Sequence, residues 1–237
     1  GLPPAQTPWG DRFRKNVMSP PGPMRTSVPT AFGKRVFDVV VAAAALAICA
    51  PLMGAVALFV ELTMGSPVLF RQKRPGLHGV PFTLVKFRTM TEERRPNGSP
   101  LPDRVRLTRA GAFLRRASLD ELPQLWNVLR GEMSLVGPRP LLMEYLPLYT
   151  PEQMRRHDAK PGLIGWAGVN GRNANSWEEK FRLDVWYVDH WSYLLDLKIF
   201  SMAFFTVLSG EGVSEEGQAT ATPFTGSPQH RDRPDRE

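Results

Sequence analysis

One cysteine, Cys49, is the chain's whole supply of thiol. No intramolecular disulfide can form and no cysteine-based zinc site can be built, which fits a cytoplasmic working side. Histidine is scarce as well. His78, His157, His190 and His230 show no metal-ligand spacing, and His157 beside Asp158 reads as a surface pair. Acidic residues are in deficit: 23 Asp and Glu face 30 Lys and Arg, leaving a net charge of +7. A positive surface suits anionic lipid or phosphorylated substrates. A nucleic-acid role is disfavoured, because the charge is spread along the chain and no recognised binding motif is present. Large apolar residues are few in residues 1–33, which hold seven prolines, so this stretch is expected to be a disordered extension. It has no apolar core of its own, and the apolar run starting at Val36 is too long for a secretory signal.

That apolar run is the chain's most informative feature. Val39–Val60 reads VVVAAAALAICAPLMGAVALFV, 22 residues without a charge. Roughly 20 apolar residues suffice to cross the hydrocarbon core of a bilayer. Lys34 and Arg35 precede it; Arg71, Lys73 and Arg74 follow it. Basic flanks on both sides give a straight span no preferred direction. Pro51, after Ala50, lacks an N–H and crowds the preceding turn, so a bend is predicted there. A re-entrant helix and a span with a tolerated kink both satisfy these cues.

Beyond it, Pro67–Phe70 and Pro81–Phe87 (PFTLVKF) are predicted strands around a turn at Arg74-Pro75-Gly76, and residues 91–103 a polar loop. Val105 to Leu129 has a helical pattern broken near Ser118. Residues 151–159 and 176–190 are predicted surface helices, and 192–208 an apolar helix carrying Asp196 and Lys198. Trp177, Trp186, Tyr187, Trp191 and Tyr193 suit either the headgroup level of a membrane or a core. No internal repeat is present.

The chemistry gathers in residues 115–140, RRASLDELPQLWNVLRGEMSLVGPRP. Ser118-Leu119-Asp120-Glu121 has the form of a helix capping box, which would put Asp120 and Glu121 in a first turn. Pro123 fits near a helix start. A cap alone is common. Its neighbours make it a site: Arg115 and Arg116 lie upstream and Arg139 sits between Pro138 and Pro140. Arginine's planar fork matches phosphate oxygens. An ionised aspartate among arginines is a candidate nucleophile or metal ligand in a phosphate site.

The run SLDELPQLWNVLRGEMSLVGPRPLL, followed by PGLIGWAGVNGRN and LDVWYV, resembles the small monotopic phosphoglycosyl transferases, a group of bacterial sugar transferases. KRVFDVV, the proline-bearing apolar segment, GSPVLFRQKRPG and FTLVKFRTM match upstream in the same order, so the likeness covers roughly residues 34–226. The several N-terminal spans of longer relatives have no counterpart here, and the chain resembles the minimal catalytic form.

The resemblance implies transfer of a sugar-1-phosphate from a UDP-sugar to polyprenol phosphate (undecaprenyl phosphate) with Mg2+ and release of UMP. In the family an aspartate carries the phosphosugar as a covalent intermediate. The catalytic pair falls on Asp120 and Glu121. Asp120 would be the nucleophile, and Glu121, with Asp120, would hold metal. Arg115, Arg139 and the neighbouring Pro138 would line the phosphate site. Lys86 and Arg88 are further candidates, and Asn170, Arg172 and Asn173 of the V-N-G-R-N run would lie near nucleotide or sugar. Glycine and asparagine also make tight turns, the plainer reading of that run. Lys160 and Gly168 depart from the Arg and Gln of many relatives, so sugar preference transfers less readily.

The implied fold is α+β, mostly helical, monotopic, with a small sheet and one kinked re-entrant membrane helix broken at Ala50–Pro51. Its parts would be the extension 1–33, the membrane helix 34–64, a cytoplasmic membrane-associated catalytic domain 65–226 and a disordered tail 227–237. The expected location is the cytoplasmic face of the bacterial inner membrane. Partners would be UDP-sugar, undecaprenyl phosphate and membrane lipid, with a homodimer left open and no nucleic acid. A competing class is a membrane-anchored basic scaffold whose active site has decayed. The intact Asp-Glu pair and GPRP argue against it.

Overall fold

The computed structural model describes residues 28–170, 175–209 and 223–227. Its first element, α1 (Val28–Met64), is a helix of 37 residues, so positions 28–33, expected in the extension, are helical. Pro51 lies inside this one helix rather than between two. Its ring removes one amide donor from the ladder, and helical backbone continues on either side. One stripe of α1 is covered by protein: Ala42, Val56 and Val60 are buried, and Leu46, Met53, Ala57 and Met64 pack beside them. These positions recur at three- and four-residue spacing, one helix face. Val40, Ile48, Leu52, Leu58 and Leu62 are exposed. By length and composition α1 could cross a membrane.

Both ends of α1 are fastened to the rest of the chain. Near its start, Lys34 pairs with Asp196, and Arg35 donates to the carbonyls of Val128 (2.5 Å) and Leu129 (2.6 Å). Asp38 is buried and accepts from Ser134 Oγ (3.1 Å) and the Leu135 amide (3.0 Å). At its other end, the Arg88 guanidinium takes the carbonyls of Met64, Gly65 and Ser66.

An antiparallel hairpin follows. β1 (Leu69–Pro75) pairs with β2 (Pro81–Phe87), Leu69 opposite Phe87 and Pro75 opposite Pro81. The first strand begins two residues later than expected and runs through Pro75. The reversal is a short helical turn at Leu77–Gly79, where His78 and Gly79 take positive φ, 53° and 75°. The helical stretch after the polar loop is three pieces: α2 (Asp103–Arg106), α3 (Arg109–Arg116) and α4 (Gln124–Arg130). Thr108 caps α3 by accepting from the Gly111 amide at 2.9 Å. α4 starts after Pro123 and ends at Gly131, whose φ of 81° terminates it. β3 (Ser134–Val136) then pairs in parallel with β4 (Gly162–Ile164).

The main core lies between α1, α4, β3 and the helices that follow: α6 (Trp166–Val169), α7 (Trp177–His190) and α8 (Tyr193–Ser209). The expectation of surface helices at 151–159 and 176–190 fails. The first is a single turn, α5 (Pro151–Met154), continued by a tighter turn in which Arg156 and His157 are buried. α7 buries Phe181, Leu183, Asp184, Val185, Tyr187 and Val188. A charge does not keep this helix at the surface, because Asp184 is paired inside with Arg156. The aromatic group divides. Tyr187 is core, Trp186 stacks on Trp166 at 5.3 Å, and Tyr193 is 45% exposed. The short segment 223–227 returns to the domain and buries Phe224 among Tyr145, Tyr149, Trp177 and Phe181.

The parallel pair β3–β4 needs two glycines. A Cβ on Gly162 would sit 2.0 Å from the Gly137 nitrogen, and one on Gly137 would sit 2.3 Å from the Lys160 carbonyl. Gly162→Ala should therefore destabilise the protein by about 3 kcal/mol, as severe overpacking does. Gly168→Ala, with nothing within 4 Å of its added carbon, should be tolerated. Thermal unfolding of the two variants in one detergent checks this; equal melting temperatures would contradict it.

Candidate active site

Asp120 and Glu121 sit in a short helical turn, Leu119–Glu121, between α3 and α4. The capping box expected of Ser118 is not formed. Ser118 adopts a left-handed conformation (φ 54°) and its side chain makes no cap bond; the Glu121 amide reaches the Ser118 backbone carbonyl instead, at 3.3 Å. α3 ends at Arg116, and the chain must turn at once to start α4. The left-handed residue makes that turn. Glu121 is thereby free to leave its own backbone and pairs with Arg139.

Asp120 is buried. Burial, and then the Glu121 carboxylate, push its carboxyl above the usual range, while Lys86, Arg115 and Arg139 oppose the rise. Three separate elements deliver these cations. Lys86 comes from β2, and its ammonium pKa is lowered by burial and then by Arg115. Arg115 comes from α3 and donates from Nε to Thr89 Oγ1 at 3.0 Å. That contact needs α3 to lie hard against Thr89, and Gly111 permits it: a Cβ there would fall 1.9 Å from the Thr89 carbonyl oxygen. Arg139 comes from the GPRP segment, its backbone hemmed by buried prolines and its side chain 63% exposed.

Pro138 contributes through its backbone: it is buried, and its carbonyl accepts from the Gly162 amide at 2.9 Å. Arg88 does not join the cluster. It is buried at the end of α1, gives its two terminal nitrogens to three carbonyls there and is not among the charges acting on Asp120. Alternation would put Arg88 on the same face as Lys86, two residues away, but the strand ends at Phe87 and Arg88 is no longer bound by its alternation. Asn170 donates from its amide to the Trp166 carbonyl (2.9 Å) and its own carbonyl accepts from Asn175 (2.5 Å), which is turn chemistry. Arg172 and Asn173 lie outside the described residues. His157 is not a surface group: it is buried, its Nδ1 lies 3.3 Å from the Gly76 carbonyl, and burial, then Arg156, lower its pKa to about 4.

Two sets of residues escaped the sequence reading. Lys34, Arg35 and Asp38 tie α1 to the domain, and Arg156 with Asp184 forms a buried ion pair. An acidic residue at the edge of an apolar run was a signal for the first, since such a charge needs a partner. The second left no local signal, its members being 28 positions apart.

Among the described residues no group of three or more His, Cys, Asp or Glu could hold a metal ion. The donor set is the adjacent pair Asp120 and Glu121. It suits Mg2+, which is commonly held by one or two carboxylates and completes its shell with substrate phosphate oxygens and water. The whole arrangement is a buried carboxylate beside a more exposed one, ringed by two arginines and a lysine. It can bind phosphate oxygens and present a carboxylate oxygen to them.

Comparison with known proteins gives the family. The chain is 58% identical over 194 residues to the uncharacterized sugar transferase EpsL of Bacillus subtilis, covering 82% of this chain and 96% of that protein. It is 43% identical over 195 residues to the UDP-glucose:undecaprenyl-phosphate glucose-1-phosphate transferase of Caulobacter vibrioides, covering 77% of this chain and 72% of the relative. With the UDP-N-acetylgalactosamine-undecaprenyl-phosphate N-acetylgalactosaminephosphotransferase of Aeromonas hydrophila it shares 35% identity over 210 residues, 85% of this chain and 49% of that one. The family model for bacterial sugar transferases matches residues 29–210, and the chain belongs to that family.

Proposed function

We propose that this protein transfers a sugar-1-phosphate from a UDP-sugar to undecaprenyl phosphate at a membrane surface, by way of a phosphosugar carried on Asp120. The observation that carries the reading is the buried Asp120 carboxylate with Lys86, Arg115 and Arg139 acting on it. The named activities of the Caulobacter and Aeromonas relatives support the substrate classes.

In the first step an Asp120 carboxylate oxygen attacks the sugar-bearing phosphorus. The bond from that phosphorus to the bridging oxygen breaks, and UMP leaves with the electron pair. In the second, a phosphate oxygen of undecaprenyl phosphate attacks the same phosphorus and Asp120 departs as a carboxylate. Splitting the transfer means that the nucleotide sugar and the lipid phosphate occupy the site in turn, so the nucleoside phosphate has left before the acceptor phosphate enters. Arg115, Arg139 and Lys86 offset the charge on the phosphate oxygens. Mg2+, held by Glu121 and Asp120, would supply further charge neutralisation.

The acceptor's phosphate head lies at the lipid boundary, so the site must lie there too. A re-entrant α1 accounts for this. Support comes from the fastening of both ends of α1 to one domain, through Lys34, Arg35 and Asp38 at one end and Arg88 at the other. A helix crossing the bilayer would put those two sets of contacts on opposite sides. Pro51 lies in the exposed middle.

Asp120→Asn should abolish UMP release and covalent capture of radiolabelled sugar phosphate. Parent protein that captures no label would favour the scaffold reading. The same variant should melt no lower than the parent at pH 7. The folded-state pKa of Asp120 is raised, so its stabilising contribution belongs to low pH and is lost as pH rises through that value. Asn removes that loss, and its advantage should shrink on acidification; a large drop in melting temperature at pH 7 would contradict this.

Lys86 holds the Asp120 pKa down. Lys86→Met should therefore shift the acid limb of the UMP-release profile to higher pH, and an unmoved limb would remove Lys86 from the site. For topology, a cysteine at position 27 in a Cys49→Ala background should resist a membrane-impermeant reagent in intact cells and react once the membrane is opened. Labelling of intact cells would indicate a span.

A further inference from the structure

The segment that presents Arg139 has an unusual backbone problem. Pro138 and Pro140 have no N–H, so two of the three residues of Pro-Arg-Pro offer only carbonyls as handles. All three carbonyls are taken. Pro138 accepts from the Gly162 amide at 2.9 Å, Arg139 from Arg156 Nη2 at 2.7 Å, and Pro140 from Arg74 Nη1 at 3.4 Å. The Arg139 carbonyl thus faces the interior, while its side chain faces outward and meets Glu121.

Arg156, which holds the middle carbonyl, is among the most deeply buried side chains, at 2% exposure. Asp184 of α7 fixes it, with Oδ2 accepting from Nη2 at 2.6 Å and from Nε at 3.0 Å. The rings of Tyr149 and Phe181 lie 5.9 and 5.8 Å from its guanidinium carbon. Nothing in this pair reaches the phosphate site directly. A buried ion pair is also a poor device for stability alone, since apolar residues of similar volume commonly serve as well or better. Holding a carbonyl at a fixed place is something an apolar pair could not do.

The geometry points to Arg156, clamped by Asp184, as a positioning residue that sets Arg139 for the diphosphate of the nucleotide substrate. This rests on the reading of Arg139 as a phosphate-binding residue. Arg156 acts through the Arg139 backbone and touches no substrate. Lysine at this position could pair with Asp184 but lacks the planar fork that serves carboxylate and carbonyl together.

UDP affinity of the purified full chain is the readout, because it can be measured in inactive variants. Arg139→Gln should weaken UDP binding. Arg156→Lys should weaken it about tenfold, the scale of one charge-assisted contact set out of place. In an Arg139→Gln background the same Arg156→Lys change should cost less than about twofold, because its effect passes through Arg139. If Arg156→Lys does not fold, the paired variant Arg156→Met with Asp184→Leu keeps the volume without a buried charge. It should fold, with a melting temperature lowered only by the unpaired Arg139 carbonyl, and still bind UDP about as weakly as Arg156→Lys is expected to. Parent-like UDP affinity in either Arg156 variant would overturn the inference, as would an equal loss with and without Arg139. Unchanged affinity in Arg139→Gln alone would overturn the phosphate role of Arg139, and the positioning role with it.

Discussion

A carboxylate withdrawn from water is costly to ionise, and the architecture around Asp120 is arranged against that cost. Burial and Glu121 raise its pKa; Lys86, Arg115 and Arg139 lower it. The cations come from a strand, a helix and a proline-bound turn, each of which must be held in place separately. Gly111 brings α3 onto Thr89 so that Arg115 can be held there, and Gly137 and Gly162 let β3 and β4 approach so that the GPRP segment can be pinned. The same cations that make an ionised Asp120 tolerable also attract phosphate oxygens. A nucleophile and its substrate site are therefore one electrostatic construction.

The apolar helix is the second constraint. Most of its surface offers hydrocarbon to the surroundings, yet the charges at its start and the carbonyls at its end find their partners on the domain. Asp38 binds the start of β3, and β3 leads directly into GPRP. Arg35 takes the last carbonyls of α4, whose other end follows the turn that carries Asp120 and Glu121. The membrane-directed helix and the polar site thus share two short elements, and movement of one would be felt by the other within a few residues.

Much was legible locally. The apolar run, a hairpin (with its turn at Leu77–Gly79 rather than at Arg74-Pro75-Gly76), the start of α4 after Pro123 and the grouping of Asp120, Glu121, Arg115 and Arg139 follow from residue type and spacing. The family is legible as a resemblance, carried by long runs in the same order as in its members. Burial of charged residues is not legible in local spacing: Asp184 of the helix expected at the surface pairs inside with Arg156, and His157 lies against the Gly76 carbonyl rather than in a surface pair with Asp158. Ser118 to Glu121 fits the spacing of a capping box, but spacing cannot state the backbone angle, and the left-handed Ser118 breaks the box.

The sequence by itself determined the chemistry available: an uncharged apolar run, an Asp-Glu pair near arginines, an arginine between two prolines, a single thiol and histidines without metal-ligand spacing. These are properties of residue type and short-range spacing, on which periodicity and steric limits act directly. Only the tertiary structure decided which arginine does what. Arg88 went to the end of α1, Arg35 to the end of α4, Arg156 to the Arg139 carbonyl, and Arg115 and Arg139 to Asp120. All are guanidinium groups, and each finds carboxylates or carbonyls equally attractive. Their assignments depend on which acceptors the packing brings within hydrogen-bond reach and which it shields from water, and those acceptors lie 17 to 94 positions away in the chain for Arg156 and Arg35.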